Sequence, residues 1–168
     1  MPKPSTQPRP CTDPDCRGQH SPRERVALAV SICERRGVQM TQLRRRVLEL
    51  LWASGGPTSA YQLIEAVKGK ESRPVGPPTV YRALHFLMEQ GLVSRIESLN
   101  AYVPCVHPER DHDCLFFICS GCRSSVELED SRIGGLLAED AAALGFVASR
   151  RTVEVEGMCA RCAEADAT

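Results

Sequence analysis

At 168 residues, 42% hydrophobic and only 5% aromatic, the chain is too short for one large core and has room for two small ones. The opening Met1-Pro2-Lys3-Pro4-Ser5 carries no apolar signal segment and no stretch is long and apolar enough to span a bilayer, so a cytoplasmic protein without membrane contact is expected. The net charge of zero conceals a division: residues 1–105 hold 15 Lys+Arg against 9 Asp+Glu, and residues 106–168 hold 6 against 12. A basic half suited to a polyanion precedes an acidic half with another task.

Residues 1–20 contain five prolines and no apolar periodicity, which predicts a disordered tail. Its Cys11, Cys16 and His20 have no fourth ligand nearby and read as part of a solvated arm. Ser21-Pro22-Arg23-Glu24 has the pattern of a capping box with proline at the first helical position, so a helix starts there and runs toward Gly37. In it Cys33 follows Val26, Ala29 and Val30 at helical spacing, as a small buried hydrophobe does. Thr41 caps a second helix with Leu43, Val47, Leu50 and Leu51 on its inner stripe, and Arg44, Arg45 and Arg46 massed near its start. Those arginines oppose the macrodipole and suit either a phosphate or a solvated face.

Ser59 and Gln62 form a further capping box, opening a third helix whose stripe is Leu63, Ile64 and Val67, with Tyr61 off it. A fourth helix begins at Pro77-Pro78 and buries Val80, Leu84, Leu87 and Met88. Thr79, Tyr81 and Arg82 are left outside its stripe, as in a recognition helix that offers hydroxyls to phosphate and a guanidinium fork to guanine. Two short strands, Leu92–Glu97 and Asn100–Val103, then make a hairpin. Helices followed by a hairpin predict a winged helix-turn-helix over residues 21–105, after the 1–20 tail.

The acidic remainder, residues 106–168, alternates as strand, strand, helix, strand, with strands at 115–118, 126–129 and 152–156. Its helix, starting at Asp130 or Ser131, carries Ile133, Leu136, Leu137, Ala141 and Leu144 on one face. Such a unit is too small to be stable alone and needs a staple and a partner chain. The staple is Cys119-x2-Cys122 with Cys159-x2-Cys162: four thiolates on two turns complete a tetrahedral structural zinc site with no open position. Disulfides are the weaker alternative in a reducing compartment. The fold class is therefore α+β, an N-terminal winged helix-turn-helix domain plus a small C-terminal α/β dimerisation domain with a four-cysteine zinc site. An enzyme is not expected: His107-Pro108-Glu109 matches half of a zinc-deaminase signature, but Ile118 and Met158, not proline, precede the two cysteine pairs.

The block Pro77 to Val93, the run Tyr102-Val103-Pro104-Cys105, Asp111-His112 leading into Leu115-Phe116-Phe117-Ile118-Cys119, and the two Cys-x2-Cys pairs together resemble the ferric uptake regulator family, and within it the zinc uptake regulator branch. The resemblance covers about residues 21–163. It implies a homodimeric repressor activated by zinc, binding a palindromic double-stranded DNA operator to silence zinc-uptake genes. It also implies that Tyr61 and Arg82 contact operator purines, and that Cys105, His112 and Glu127 ligate a regulatory zinc, making two zinc ions per chain. A thiolate among these ligands favours zinc over iron or manganese. The chain departs from the pattern at Ser94, where the zinc branch carries a histidine. Either the fourth position is filled from elsewhere, by His107 or Cys114 with Asp113 also near in sequence, or it is water. A sensor of iron, manganese or peroxide, or a thiol redox switch, is the alternative within the family.

Overall fold

The computed structural model describes residues 21–68, 75–109, 114–128, 130–148 and 151–166. The tail with Cys11, Cys16 and His20, and the segment containing His112 and Asp113, lie outside the described residues.

Four helices and one sheet make the first half: α1 (Pro22–Arg35), α2 (Gln42–Ser54), α3 (Ala60–Lys68) and α4 (Pro77–Glu89), with strands β1 (Thr58–Ser59), β2 (Val93–Ile96) and β3 (Ala101–Pro104). The starts are those the caps predict. Ser21 and Glu24 close a capping box on α1, Thr41 accepts from the Arg44 amide at the head of α2, and Ser59 and Gln62 exchange hydrogen bonds before α3. Gly55 ends α2 at φ 68°, a left-handed conformation that suits a residue without Cβ. The helices share a core of Val26, Ile32, Cys33, Val47, Leu51, Leu63, Val67, Leu84 and Leu87, among others. Burial pushes the Cys33 thiol up despite the opposing Arg36 and Arg44, so it stays neutral and packs as a hydrophobe.

The three arginines of α2 are spoken for within the chain. Arg44 stacks over Phe86, 3.5 Å from its ring centroid, while Arg45 and Arg46 both pair with Glu49. These contacts favour a structural role over phosphate binding. Strand β1, two residues paired to the outer edge of β3, has no counterpart among the predicted elements. It is too short for any period-2 signal.

The second half has strands β4 (Cys114–Cys119), β5 (Ser125–Leu128) and β6 (Thr152–Gly157), helix α5 (Ser131–Ala143) and a terminal helix α6 (Ala160–Asp166). Strand β4 is central, antiparallel to β5 and parallel to β6. Asp130 caps α5. The expected apolar stripe of that helix is not buried within one chain: Leu136 is 63% and Leu144 84% exposed. Helix α6 is likewise absent from the predicted elements, because its seven residues are mostly small and polar.

The two sheets meet across a separate apolar seam of Ile96, Val103, Phe116 and Ile118. Strand alternation explains which residues face it. Ser94 and Val103 are directly paired, so they share a face with Ile96, two residues along β2. On the other sheet Phe116 lies between Glu127 and Glu154, so those carboxylates point the same way as Cys114, Phe116 and Ile118. Each apolar side chain buried in the seam is worth about 1.5–3 kcal/mol.

Candidate metal centres and nucleic-acid face

The first centre is built by two knuckles. Strand β4 delivers Cys119 into a turn whose Arg123 amide donates to the Cys119 carbonyl at 2.9 Å and whose Arg123 adopts φ 59°. The turn is tied to the end of β6 by the Ser120 amide, which donates to the Gly157 carbonyl at 2.8 Å. That tie places Cys159, two residues past β6, opposite Cys119, and the Cys159 amide donates to the Cys119 sulfur at 3.3 Å. Gly121 lets the two knuckles approach closely here. A Cβ on it would stand 3.2 Å from both Cβ and Sγ of Cys162, so a side chain there would make the second knuckle give by a few tenths of an ångström.

All four sulfurs, of Cys119, Cys122, Cys159 and Cys162, lie within 4.8 Å of one another. Zn–S bonds of about 2.3 Å place tetrahedral sulfurs roughly 3.8 Å apart, and Cys122 and Cys159 are 3.9 Å apart. The set therefore fits a zinc ion. The protonation pattern agrees. The Ser124 hydroxyl and amide pull Cys122 down to about 6, whereas hydrogen bonding with Cys159, then burial, pushes Cys162 up to about 12. Four close thiols cannot all ionise without a cation among them. The seven cysteines among the described residues are unbridged.

The second cluster lies at one end of the seam between the sheets. Cys105, 3% exposed, comes at the end of the wing, where its amide donates to the Leu92 carbonyl at 3.0 Å. Its Sγ is 3.9 Å from Oε1 of Glu127, whose Oε2 accepts from the Val106 amide at 3.4 Å. A thiolate and a carboxylate on one tetrahedral zinc stand about 3.6 Å apart, so the pair has the spacing and chemistry for an ion. Beside them Ser94, 5% exposed, has its Oγ 3.2 Å from Sγ of Cys114. His107 has Nδ1 3.4 Å from the Glu109 carboxylate. Among the described residues only the four knuckle cysteines bring three or more ligand atoms mutually within 4.8 Å.

At the other end of the seam Glu154 spans the two sheets. Its carboxylate accepts from the Glu97 amide at 2.7 Å and the Ser98 amide at 3.1 Å, in the turn between β2 and β3. Burial opposes ionisation there, but bonds from Ser98 and the Glu97 amide outweigh it and hold the carboxyl below its usual value. No sequence signal singles out Glu154. It is one of two glutamates in its strand, and only the register of β4 with β6 shows what it faces.

In the first half, α4 presents Thr79, Tyr81 and Arg82 to solvent, with Tyr81 50% exposed. Tyr61 of α3 is 72% exposed. A helix that leaves hydroxyls and a guanidinium exposed at its first turns has the form of a DNA-reading helix.

Known proteins share this geometry. The sequence model of the Ferric uptake regulator family matches residues 35–156. The chain is 38% identical over 145 residues, 86% of its length and 84% of the relative's, to the zinc uptake regulation protein of Escherichia coli strain K12. Its fold matches a zinc uptake regulator complexed with zinc and DNA at a TM-score of 0.83 and 36% identity, covering 89% of this chain and all of the other. It matches holo XcZur at 0.76, covering 83% and 96%, but apo XcZur at only 0.50, covering 84% and 97%, with 44% identity in both. Its conformation is thus nearer the holo form. With a winged helix-turn-helix, a four-cysteine cluster and a family match over most of its length, this chain belongs to the ferric uptake regulator family.

Proposed function

We propose that the chain is a zinc-responsive DNA-binding transcriptional repressor of the cytoplasm, a homodimer that uses zinc as corepressor to silence zinc-uptake genes. The observation that carries this proposal is the seam between the sheets, closed at one end by Cys105 against Glu127. His112, which lies outside the described residues, would add a nitrogen to their sulfur and oxygen, a set suited to tetrahedral zinc. The nearness to holo XcZur rather than apo XcZur supports the same conclusion.

Two zinc ions per chain are proposed, one held by Cys119, Cys122, Cys159 and Cys162, the other by Cys105, His112 and Glu127. Bound at the seam, the second ion supplies a cross-link between wing and second sheet. The chain's own residues do the rest. Ile96, Val103, Phe116 and Ile118 keep the sheets together, so the recognition helix keeps one orientation relative to residues 106–168, the dimerisation domain. Residues 21–105 then act as the DNA-binding domain, with Tyr61, Thr79, Tyr81 and Arg82 toward a palindromic operator. The second copy is proposed to cover the apolar surface left on residues 106–168, including Phe117, Leu136, Leu144 and Val155.

The test is zinc content by elemental analysis before and after mild chelation, with operator binding followed on the same samples. Two zinc ions per chain, one of them lost together with operator affinity, are expected. A single resistant zinc with metal-independent DNA binding overturns the proposal, and restoration by iron or manganese alone identifies the other sensor class.

A further inference from the structure

The chain lacks a histidine at Ser94, and the side chain that stands against Ser94 is Cys114. We infer that Cys114 is a thiolate ligand of the regulatory metal, so that this site holds two sulfurs, and that Ser94 is its positioning residue; this rests on the zinc-responsive function proposed above.

Four side chains converge from two sheets. Ser94 comes from β2 and Cys105 from the end of β3, while Cys114 and Glu127 come from β4 and β5. Strand alternation turns Ser94 toward the seam with Ile96, and Cys114 toward it with Phe116. The cross-sheet contacts are Cys105 with Glu127 at 3.9 Å and Ser94 with Cys114 at 3.2 Å. Glu127 is paired with Phe116, so it is the diagonal neighbour of Cys114 on the same face. A serine hydroxyl followed by a sulfur extends from β2 about as far as an imidazole would. Cys114 therefore fills the volume a histidine at position 94 would occupy, with a better zinc donor than serine.

The sulfurs of Cys105 and Cys114 and the Glu127 carboxylate are not all within 4.8 Å of one another, so the Cys114 thiol must move to join them, and its one side-chain torsion is the first coordinate for that movement. Ser94, 5% exposed, can donate to the thiolate, the outer-shell bond that orients a ligand and retains its charge. His107 is the rival for this position. Its Nδ1 lies 3.4 Å from the Glu109 carboxylate, and counting sulfurs separates it from Cys114.

Cobalt(II) counts the sulfurs, because thiolate-to-cobalt charge transfer scales with the number of thiolates bound. Full-length protein is chelated mildly so that zinc remains in the four-cysteine site, kept reduced, and titrated with cobalt(II) alone. Wild type is expected to show twice the charge-transfer intensity per bound cobalt of Cys114→Ser, and Cys114→Ser to bind cobalt at least tenfold more weakly. His107→Ala should change neither. The double variant Ser94→His with Cys114→Ser should regain the lost affinity but not the lost intensity, which a merely misfolded Cys114→Ser could not do. Unchanged intensity in Cys114→Ser, with a fall in Cys105→Ser, overturns the role of Cys114 and leaves the regulatory site standing. No cobalt bound by wild type beyond the retained zinc overturns both.

Discussion

Glu154 ties the wing turn to β6 through a contact whose strength can be worked out from its geometry. Its carboxylate holds two backbone amides of that turn, at 2.7 and 3.1 Å. A hydrogen bond to a charged group is worth about 1.5–3 kcal/mol and a neutral one about 0.5–1.5 kcal/mol. Glu154→Gln removes the charge and one of two acceptor oxygens, leaving one neutral bond. In this partly exposed position the low end of the range applies, so the closed arrangement loses about 1–2 kcal/mol, roughly 5- to 30-fold in its population. If only the closed arrangement assembles the Cys105–Glu127 site, apparent zinc affinity falls by up to the same factor. The assay is operator binding against buffered free zinc, with zinc content measured in parallel. The midpoint should move to higher zinc by up to that factor while the number of zinc ions at saturation stays the same. Glu156→Gln, exposed two residues further along β6, is the control and should leave the midpoint in place.

The sign of the pH dependence follows from the same pair of bonds. The carboxyl is held below its ordinary value of 4.5, so the clasp is complete above that pH and is lost as pH falls through the lowered value. The wild-type and Glu154→Gln midpoints should therefore differ by a constant factor from pH 6 to 8. An unmoved midpoint, or a difference that disappears within that range, would refute the assignment of Glu154 as an inter-sheet clasp.

Three further outcomes are expected. Cys105→Ala should abolish zinc-dependent operator binding while leaving a folded dimer by circular dichroism and sedimentation. Arg82→Ala should weaken operator binding by about 1–3 kcal/mol for each base it ceases to read, measured by fluorescence anisotropy, with zinc content unaffected. Cys119→Ser should remove the structural ion, and because binding such an ion contributes on the order of 10 kcal/mol to folding, residues 106–168 should lose protection in hydrogen exchange while the helices around Val47 and Leu84 keep theirs.

What the order of residues along the chain could establish was local. Capping boxes at Ser21 and Ser59 and the Thr41 cap name their own helix starts, because cap and partner lie three residues apart. The stripe in α4 follows from a 3.6-residue period, and so does the exposure of Thr79, Tyr81 and Arg82. The two Cys-x2-Cys pairs declare a four-sulfur site because each pair is one turn, although nothing local says that Gly121 lets the turns approach closely. Short segments escape: β1, two residues long, cannot show an alternation, and α6 has too few apolar residues to show a stripe. Leu136 and Leu144 are legible as apolar, but periodicity cannot say whether the covering surface comes from the same chain. The rest depended on tertiary structure. Ser94 and Cys114 are twenty residues apart, as Cys105 and Glu127 are twenty-two, and Glu154 lies more than fifty from the wing turn it clasps. Such pairings are set by the register of β4 with β5 and β6 and by the apolar seam that presses one sheet on the other, and a one-residue slip of β5 or of β6 would turn Glu127 or Glu154 to the opposite face.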